Sequence, residues 1–380
     1  MRILHVIYSH INNPLSAGGS ALRTHEVYRR MVARHEVTVV TAAWPGGPRE
    51  ETIDGVRYLH MGRPRKGEGL SRAGFTWTMN QVCRRASKST TDLLVVDISP
   101  FTPCFAPWLS SLPQVGVVQS WIDPQSARQK HGKAGPRAVK LRDATLRRCK
   151  YLIAVSPTIE EELGRYRQER TEIRLIPYGF DTGVFSYNGK CEKPYFLSLG
   201  RIEEFTKGLD LLIEAYSRTR ERLPDMKLVI AGRGSFEAGL RSLVGARGIS
   251  DAVEFVGWVE GEAKAKLMQE CTAFCFPSRR ESWGMAAVEA AACEKPVIGF
   301  DVPGVRDAVR NGETGILVPA EDVEAYAQAM VQVVEDAELR RRLGEAGRQW
   351  ASQFTWDETA RKQEEFYLHV LEQESGGRKA

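Results

Sequence analysis

The sequence has no apolar run long enough to span a membrane. Its apolar runs are far shorter than the roughly 20 residues that a bilayer-spanning helix needs. Met1 to Tyr8 has the pattern of a first β-strand, and neither a longer apolar region nor a cleavage site follows it, so we do not interpret it as a signal peptide. The seven cysteines are scattered and odd in number, which favours buried thiols in a reducing compartment over a disulfide framework. We therefore expect a cytoplasmic protein.

Motifs for metals and for dinucleotides are also missing. No Asp-x-Asp occurs, and the histidines and cysteines do not have the spacing of a zinc site, so we expect no bound metal. Gly232-Arg233-Gly234 follows a predicted strand but lacks the rest of a dinucleotide fingerprint, which argues against NAD binding.

Length and composition favour a soluble globular protein of two domains. The chain has 380 residues, of which 42% are hydrophobic and 27% are charged. The net charge of +5 is divided unevenly: residues 1–188 hold 27 Lys and Arg against 16 Asp and Glu (+11), and the remainder holds 26 against 32 (−6). This difference indicates that the two halves have different partners.

Strand and helix patterns alternate in both halves, which is typical of parallel, doubly wound α/β sheets. The stretch from Tyr178 to Lys193 has turn-forming residues and no periodicity, so we interpret it as the interdomain linker. Two such sheets in tandem are expected to form a ligand cleft where the carboxyl ends of their strands face each other. We predict strands at 3–8, 36–41, 93–97, 115–119, 151–155, 173–176, 195–199, 227–231, 253–256, 273–276 and 296–299, and helices at 21–33, 137–149, 208–222, 236–246, 260–271, 285–293 and 356–371.

The most informative stretch runs from Phe276 to Pro319. A predicted strand ends here in a Pro-Ser loop, and an alanine-rich helix from Met285 to Cys293 follows. The free N–H groups at the start of such a helix form a site for anions. On a continuous helix, Glu281 and Glu289 would lie roughly 12 Å apart, which suits a ligand with hydroxyls at both ends and an anion between them. The alternative is an ordinary surface helix whose glutamates face water.

Three features of this stretch together resemble the retaining glycosyltransferases of family four. They are Glu281-x7-Glu289, the sequence PVI at 296–298 and the turn NGETG at 311–315. The resemblance extends over nearly the whole chain and is densest after Leu197. It implies the GT-B fold, in which two Rossmann-like, doubly wound parallel-sheet domains of the α/β class face a cleft.

The same resemblance implies the domain boundaries. Residues 1–185 are expected to form the acceptor-side domain, and residues 186–355 the domain that binds the nucleotide-sugar donor. The final helix, within 356–380, is expected to pack back on the first domain.

The resemblance implies a metal-independent hexosyltransferase. It would move a sugar from a nucleotide diphosphate to a hydroxyl acceptor with retention of configuration, in carbohydrate biosynthesis such as glycolipid or polysaccharide assembly. No cofactor is expected apart from the nucleotide sugar as co-substrate, with a UDP-sugar favoured over a GDP- or ADP-sugar. A nucleotide-sugar epimerase and a non-catalytic sugar-nucleotide binder of the same fold stay open as alternatives.

Two cations are candidates for holding the donor diphosphate. Arg201 follows a predicted strand and Lys207 precedes the next helix, so both are expected at the carboxyl end of a strand. An arginine can bind phosphate oxygens with two hydrogen bonds, while a lysine acts as a point charge. Without a metal, such fixed cations would stabilise the departing diphosphate. The alternative is a pair of ordinary surface cations.

The resemblance assigns further roles to residues of the donor site. Glu281 would bind hydroxyls of the transferred sugar and Glu289 those of the ribose, because a carboxylate accepts hydrogen bonds from two vicinal hydroxyls. Arg201, Lys207 and Glu281 are therefore the predicted catalytic residues. The other predicted donor-binding residues are Gly18 and Gly19 near the diphosphate, Val259 near the base, and Trp283, Gly284, Met285 and Ala286 through their backbone N–H groups.

The acceptor side departs from the family pattern. Many members have a histidine after the strand that ends here at Gln119, whereas this chain continues with SWID. Asp123 is one candidate for the acceptor side, with a capping or turn role before Pro124 as the alternative. His10 is another candidate, and His25 is interpreted as packing along the first helix.

The segment from Arg128 to Lys150 holds nine Lys and Arg and one acid, Asp143. One interpretation is a solvated helix face. The other is a surface for anionic lipid headgroups or a phosphate-bearing acceptor, with peripheral contact at the inner face of a membrane. The segment lacks the interleaved aromatic residues of stacking platforms, so we expect no nucleic-acid partner.

Overall fold

The computed structural model describes residues 1–13, 18–63, 68–102, 104–187, 189, 193–203 and 206–376. Residues 16–17 directly precede Gly18 and Gly19, which were predicted to lie near the diphosphate, and residues 204–205 lie between Arg201 and Lys207. Both pairs lie outside the described residues. The chain forms two compact units, one of Met1–Gly179 with Trp356–Ala380 and the other of Phe180–Thr355. The first break therefore lies inside the predicted linker, at residue 179 instead of 185.

The first unit is a sheet covered by helices. Its strands are β1 (Arg2–Val6), β2 (Glu36–Ala42), β3 (Glu50–Ile53), β4 (Val56–Met61), β5 (Leu93–Asp97), β6 (Gln114–Val118), β7 (Tyr151–Ala154) and β8 (Glu172–Leu175). They form one sheet in the order β3-β4-β2-β1-β5-β6-β7-β8, parallel throughout except for the antiparallel pair β3–β4. Its helices are α1 (Gly19–Arg29), α2 (Glu68–Arg85), α3 (Ala106–Leu109), α4 (Pro124–His131), α5 (Ala134–Leu146) and α6 (Pro157–Gly164).

The second unit has six strands in a fully parallel sheet. They are β9 (Tyr195–Leu199), β10 (Lys227–Ala231), β11 (Val253–Gly257), β12 (Ala273–Phe276), β13 (Val297–Phe300) and β14 (Gly315–Val318), in the order β11-β10-β9-β12-β13-β14. Its helices are α7 (Leu209–Thr219), α8 (Glu237–Ala246), α9 (Gly261–Glu270), α10 (Met285–Ala292), α11 (Val305–Ala308), α12 (Val323–Glu335) and α13 (Ala337–Ala351). The expected α/β class with two doubly wound parallel-sheet domains is confirmed.

The last helix, α14 (Trp356–Gly376), belongs to the first unit. Its apolar side chains Phe366 and Val370 join the core that α1 and the central strands form. The hydroxyls of Tyr28 on α1 and Tyr367 on α14 lie 3.1 Å apart, so two buried polar tips satisfy each other inside this core. Burial of this apolar face holds the end of the chain on the unit that contains its beginning.

Several parts of the fold were not predicted from sequence, among them β14 and the helices α4, α6, α12 and α13. The β3–β4 hairpin and the helix α2 fall in a region without a predicted element. The interval between Glu281 and Glu289 is also not a continuous helix, because α10 begins only at Met285. Glu281 therefore lies in the loop before the helix. Within the described residues, no helix is both long enough and apolar enough to cross a membrane.

Candidate active site

The second unit brings polar residues together at the carboxyl edge of its sheet. Arg201 lies two residues after β9, and Ser278 two residues after β12, which pairs with β9. Because neighbouring parallel strands end at the same edge, these side chains and Lys207 line one small cavity of about 10 Å³. The two cations that were predicted to hold the diphosphate therefore both line this cavity.

Arg201 is mostly exposed. Its side chain is 64% accessible and pairs with Glu203, with 2.8 Å between Arg201 Nη1 and a Glu203 carboxylate oxygen. Thr206 Oγ1 donates to the other oxygen of Glu203 at 2.8 Å. The guanidinium has five N–H donors, so it can bind an anion without leaving Glu203.

Lys207 is more enclosed, and it is paired with a predicted catalytic residue. Its ammonium donates to Glu281 Oε1, and Ser278 Oγ donates to the same oxygen at 3.1 Å. The side chains of Lys207 and Glu281 are 22% and 14% exposed. The structure therefore joins two residues that lie 74 positions apart in the chain.

Two glycines make this arrangement possible. Gly208, which caps α7, has φ of 59°, and a Cβ there would lie 2.0 Å from the carbonyl oxygen of Pro277. Gly284, which caps α10, has φ of 84°. Both are left-handed conformations that disfavour other residues. At each of these positions the chain turns sharply from the strand edge into a helix.

The helix α10 begins at Met285, within the segment 283–286 whose backbone N–H groups were predicted to bind the donor, and that binding stays a prediction. The side chain of Trp283 does not take part, because it is 4% exposed and packs edge-to-face on Phe354 at 4.9 Å. No side chain caps α10, so its first N–H groups are not used in a cap. This end of the helix has the donors that an anion needs.

Glu289 is buried on α10 and has a cation that the sequence did not reveal. Lys264 on α9 donates to Glu289 Oε2 at 2.5 Å, and the two side chains are 17% and 4% exposed. The Lys264 ammonium also lies 5.0 Å from the ring centre of Phe185. A buried carboxylate needs such a partner, and the contact fixes one oxygen of Glu289. Glu281 and Glu289 thus belong to two separate ion pairs.

Val259 lies just after β11 and is partly buried. The neighbouring Trp258 is 42% exposed, and the guanidinium of Arg233, which follows β10, lies 5.2 Å from its ring centre. A half-exposed indole with a cation on its face is a flat surface of the kind on which an aromatic base can stack. Arg233 and Trp258 were not among the predicted site residues.

In the first unit, Gly18 precedes α1 and Gly19 begins it. A Cβ added to Gly18 would meet no atom within 4 Å, and its φ of 170° is extended backbone. Packing among the described residues therefore does not require glycine at 18. The predicted position of Gly18 and Gly19 beside a donor diphosphate is a separate explanation for glycine here, and it stays a prediction.

The two acceptor-side candidates have local partners. Asp123 caps α4, where its carboxylate accepts from the Ser126 backbone N–H at 2.9 Å and from Ser126 Oγ at 2.7 Å. The capping alternative is thus confirmed for Asp123. His10 is 1% exposed and stacks on Trp44 at 5.2 Å, so its ring faces the interior of the unit. Neither side chain is free to meet an acceptor in this conformation.

His25 packs as predicted, with Nδ1 2.9 Å from the Tyr58 hydroxyl and Nε2 3.0 Å from Asp54. It is 6% exposed. Its role is therefore structural.

A further polar group lies at the carboxyl edge of the first unit's sheet. Asp97 ends β5, and Gln119 directly follows β6. Burial raises the pKa of Asp97 to about 7, against the opposing effects of the Arg23 charge and the nearby Gln119 side chain. Tyr178 donates its hydroxyl to Gln119 Oε1 at 3.1 Å. The sequence did not single out this group.

Comparison with known proteins matches each unit to a family model. The model described as glycosyl transferases group 1 matches residues 184–350, and the glycosyl transferase 4-like domain matches residues 18–179. The D-inositol 3-phosphate glycosyltransferase of Jonesia denitrificans is 35% identical over 216 residues, which cover 55% of this chain and 47% of that protein. The match therefore spans about half the length of this curated relative.

Solved structures show the same fold. The sucrose-phosphate synthase of Thermosynechococcus elongatus has a TM-score of 0.82 at 23% identity and covers 97% of this chain and 99% of its own. HepE of Anabaena, solved in complex with UDP-glucose, has a TM-score of 0.70 at 17% identity and covers 100% and 99%.

The two parallel-sheet units and the two family models define a glycosyltransferase of the GT-B fold. The chain belongs to the family-four glycosyltransferases, so the predicted family is confirmed, whereas these comparisons do not test the Glu281-x7-Glu289 motif.

Proposed function

We propose that the chain is a retaining hexosyltransferase that takes its sugar from a nucleotide diphosphate and needs no metal for this step. The observation that carries the proposal is the cavity of the second unit, where Arg201 and Lys207 lie together and Lys207 contacts Glu281. Two fixed cations next to a sugar-binding carboxylate supply what a departing diphosphate and a transferred hexose each require.

Lys207 links the two functions. An ammonium has three N–H donors, so its contact with Glu281 leaves others for phosphate oxygens. The same cation then holds the carboxylate that positions the sugar and offsets the charge that develops on the leaving group. Arg201 and the N–H groups that begin α10 add further donors for the diphosphate.

The proposed reaction proceeds on one face of the sugar. The acceptor oxygen forms a bond to the anomeric carbon while the bond from that carbon to the phosphate oxygen breaks. The acceptor proton passes to the departing phosphate oxygen, so no protein carboxylate is needed as nucleophile. The new bond then has the configuration of the old one.

We favour a UDP-sugar as donor and an anionic hydroxyl compound as acceptor. A fold neighbour is solved with UDP-glucose, and the name of a relative states that it acts on an inositol phosphate. The surface of Trp258 and Arg233 beside Val259 suits a stacked base. Glu289, held by Lys264, suits the ribose hydroxyls that every such nucleotide has.

Thermal unfolding with UDP-, GDP- and ADP-sugars, in excess EDTA, tests this proposal. A bound donor stabilises the folded chain by about 2.7 kcal/mol at 100 times its Kd. We expect the largest shift from a UDP-sugar and the same shift with and without chelator. No shift from any nucleotide sugar, or a shift that requires a divalent metal, would contradict it.

We also propose that the first unit contacts an anionic membrane surface through α5. The exposed cations Lys133, Arg137 and Lys140 lie at or near one face of this helix, and among the described residues none of them has an ion-pair partner. By contrast, Arg142 is 1% exposed and lies 3.7 Å from the ring centre of Trp121. Three further cations of the segment have partners. The guanidinium of Arg147 lies over the ring of Tyr166, that of Arg148 lies over the ring of Trp108, and the ammonium of Lys150 donates to Glu374.

Vesicle sedimentation tests the membrane contact. Each of these free cations contributes about 1 kcal/mol near an anionic surface, and salt screens the attraction. The chain should sediment with phosphatidylserine vesicles at low salt, and Arg137→Glu with Lys140→Glu should abolish this. The matched control, Arg170→Glu with Lys227→Glu, changes the charge equally at exposed positions and should still bind. No sedimentation of the unmodified chain would favour a soluble acceptor.

A further inference from the structure

Three side chains of the first unit meet in a cluster to which the donor chemistry assigns no role. One ligand atom from each of His10, Glu51 and His60 lies within 4.8 Å of the others. His60 Nε2 is 2.9 Å and His10 Nε2 is 3.7 Å from the same oxygen of Glu51. Neighbouring ligand atoms of a tetrahedral zinc ion lie about 3.4 Å apart, given Zn–N and Zn–O distances near 2.1 Å. The two measured distances bracket that value.

The surroundings are those of a closed site with one entrance. The side chains of His10 and His60 are 0% exposed, whereas Glu51, on the edge strand β3, is 23% exposed. Trp44 stacks on His10 at 5.2 Å and meets His60 edge-on at 4.6 Å, so an aromatic wall excludes water from the imidazoles. A cation would enter past Glu51.

His10 has a buried polar atom that its neighbours do not satisfy. Its Nε2 is buried and has no hydrogen-bond partner among the described residues. Most buried polar atoms in folded proteins have a hydrogen-bond partner, so this nitrogen needs an explanation, and a bound cation supplies one.

The outer contacts of the two rings differ. His60 Nδ1 lies 2.6 Å from the Thr41 hydroxyl, which can accept or donate a hydrogen bond. When the hydroxyl accepts, the ring proton is on Nδ1, and Nε2 has a lone pair for a cation. The Asn12 backbone N–H donates to His10 Nδ1 at 3.2 Å, which places the ring proton on His10 Nε2 in this conformation. Cation binding requires the other tautomer of His10 and breaks this long hydrogen bond.

We propose that His10, Glu51 and His60 form a zinc-binding site that stabilises the first unit. Two imidazoles and one carboxylate are a donor set that zinc prefers over magnesium or calcium, which take oxygen ligands. Three protein ligands leave one position for water or for an oxygen of another molecule. The site joins the loop after β1, the edge strand β3 and the strand β4, so an ion there would fix the hairpin to the sheet.

Zinc binding to the full-length chain, stripped of metal by EDTA and dialysed, tests the proposal. Equilibrium dialysis with Zn²⁺ alone, read by elemental analysis, should give one ion per chain that raises the unfolding temperature. Glu51→Gln and His60→Gln should abolish both effects, and Thr41→Val should weaken zinc about 10- to 100-fold. Cobalt in place of zinc should give the visible absorption of a four-coordinate site.

His369→Gln is the matched control. His369 pairs with Glu172 at 2.9 Å, the distance between His60 and Glu51, but within the described part of the chain no second histidine completes a cluster there. This variant should bind zinc as the unmodified chain does. Equal zinc affinity in Glu51→Gln and in the unmodified chain would place the metal outside this cluster and overturn the proposal, as would no zinc binding at all. Donor-dependent stabilisation is measured separately in EDTA, so failure here leaves the proposed transfer reaction untouched.

Discussion

Replacing Lys207 with alanine separates its catalytic effect from its structural one. The side chain is 22% exposed and its pair with Glu281 is partly solvated, so loss of the pair should lower the free energy of unfolding by only about 1 kcal/mol. In the transition state the ammonium faces the charge that develops on the diphosphate. Unit charges about 4 Å apart attract by about 4 kcal/mol at an effective dielectric of 20. Removal of a comparable donor elsewhere costs about 3 kcal/mol, so kcat/KM should fall roughly 100-fold.

Arg220→Ala provides the control for Lys207→Ala. Arg220 directly follows the other end of α7, is 24% exposed, pairs with Asp251 and also donates to the Pro224 carbonyl at 2.7 Å. Both variants should show similar small losses in chemical denaturation, whereas only Lys207→Ala should lose kcat/KM for transfer. If Lys207→Ala is folded and retains full kcat/KM, the assignment of Lys207 to the leaving group is wrong.

Three further predictions concern binding, pH and metal. Calorimetry should show that Glu289→Ala weakens both the free nucleotide and the sugar nucleotide, whereas Glu281→Ala weakens only the sugar nucleotide; the reverse pattern would exchange their roles. The raised pKa of Asp97 means that its contribution to stability is full below about pH 4 and is lost as the pH rises through about 7. The free energy of unfolding, measured with urea at pH 5 and at pH 8, should therefore fall less between these two pH values in Asp97→Asn than in the unmodified chain. An equal fall in both proteins would exclude Asp97 as its source. Turnover should persist in excess EDTA when it is assayed well below the unfolding temperature of the chelated chain. If EDTA abolishes turnover and only Mg²⁺ or Mn²⁺ restores it, the fixed-cation account is wrong.

Several strands could be predicted to the residue. The predicted bounds of β5, β9, β10 and β12 agree with the structure, because each is an apolar run buried on both faces of a parallel sheet and bounded by turns or charges. The hairpin strand β3 is different, since residues 50–53 are alternately exposed and partly buried and contain three polar side chains. Such an edge strand has no apolar signal for the sequence to reveal.

The site was predictable in kind but not in its pairings. The loops after β9 and β12 follow from the order of strands, and so do the positions of Arg201, Lys207 and Glu281. The partner of Glu289 does not, because Lys264 comes from a different helix and only the packed fold brings the two together. Local spacing likewise misses His10, Glu51 and His60, whose neighbouring positions result from strand pairing. The conformation between Glu281 and Glu289 also could not be predicted from the sequence. It is a loop that ends at the left-handed Gly284, and the helix begins only after it.

The most direct test of the transfer reaction is the stereochemistry of its product. The full chain is incubated in excess EDTA with an α-linked UDP-hexose and an inositol phosphate, and the anomeric proton of the product is followed by NMR from the first turnover. The expected product has the α-configuration of the donor and forms only when both substrates are present. A β-linked product, or conversion of the donor at the same rate without acceptor, would contradict retaining transfer.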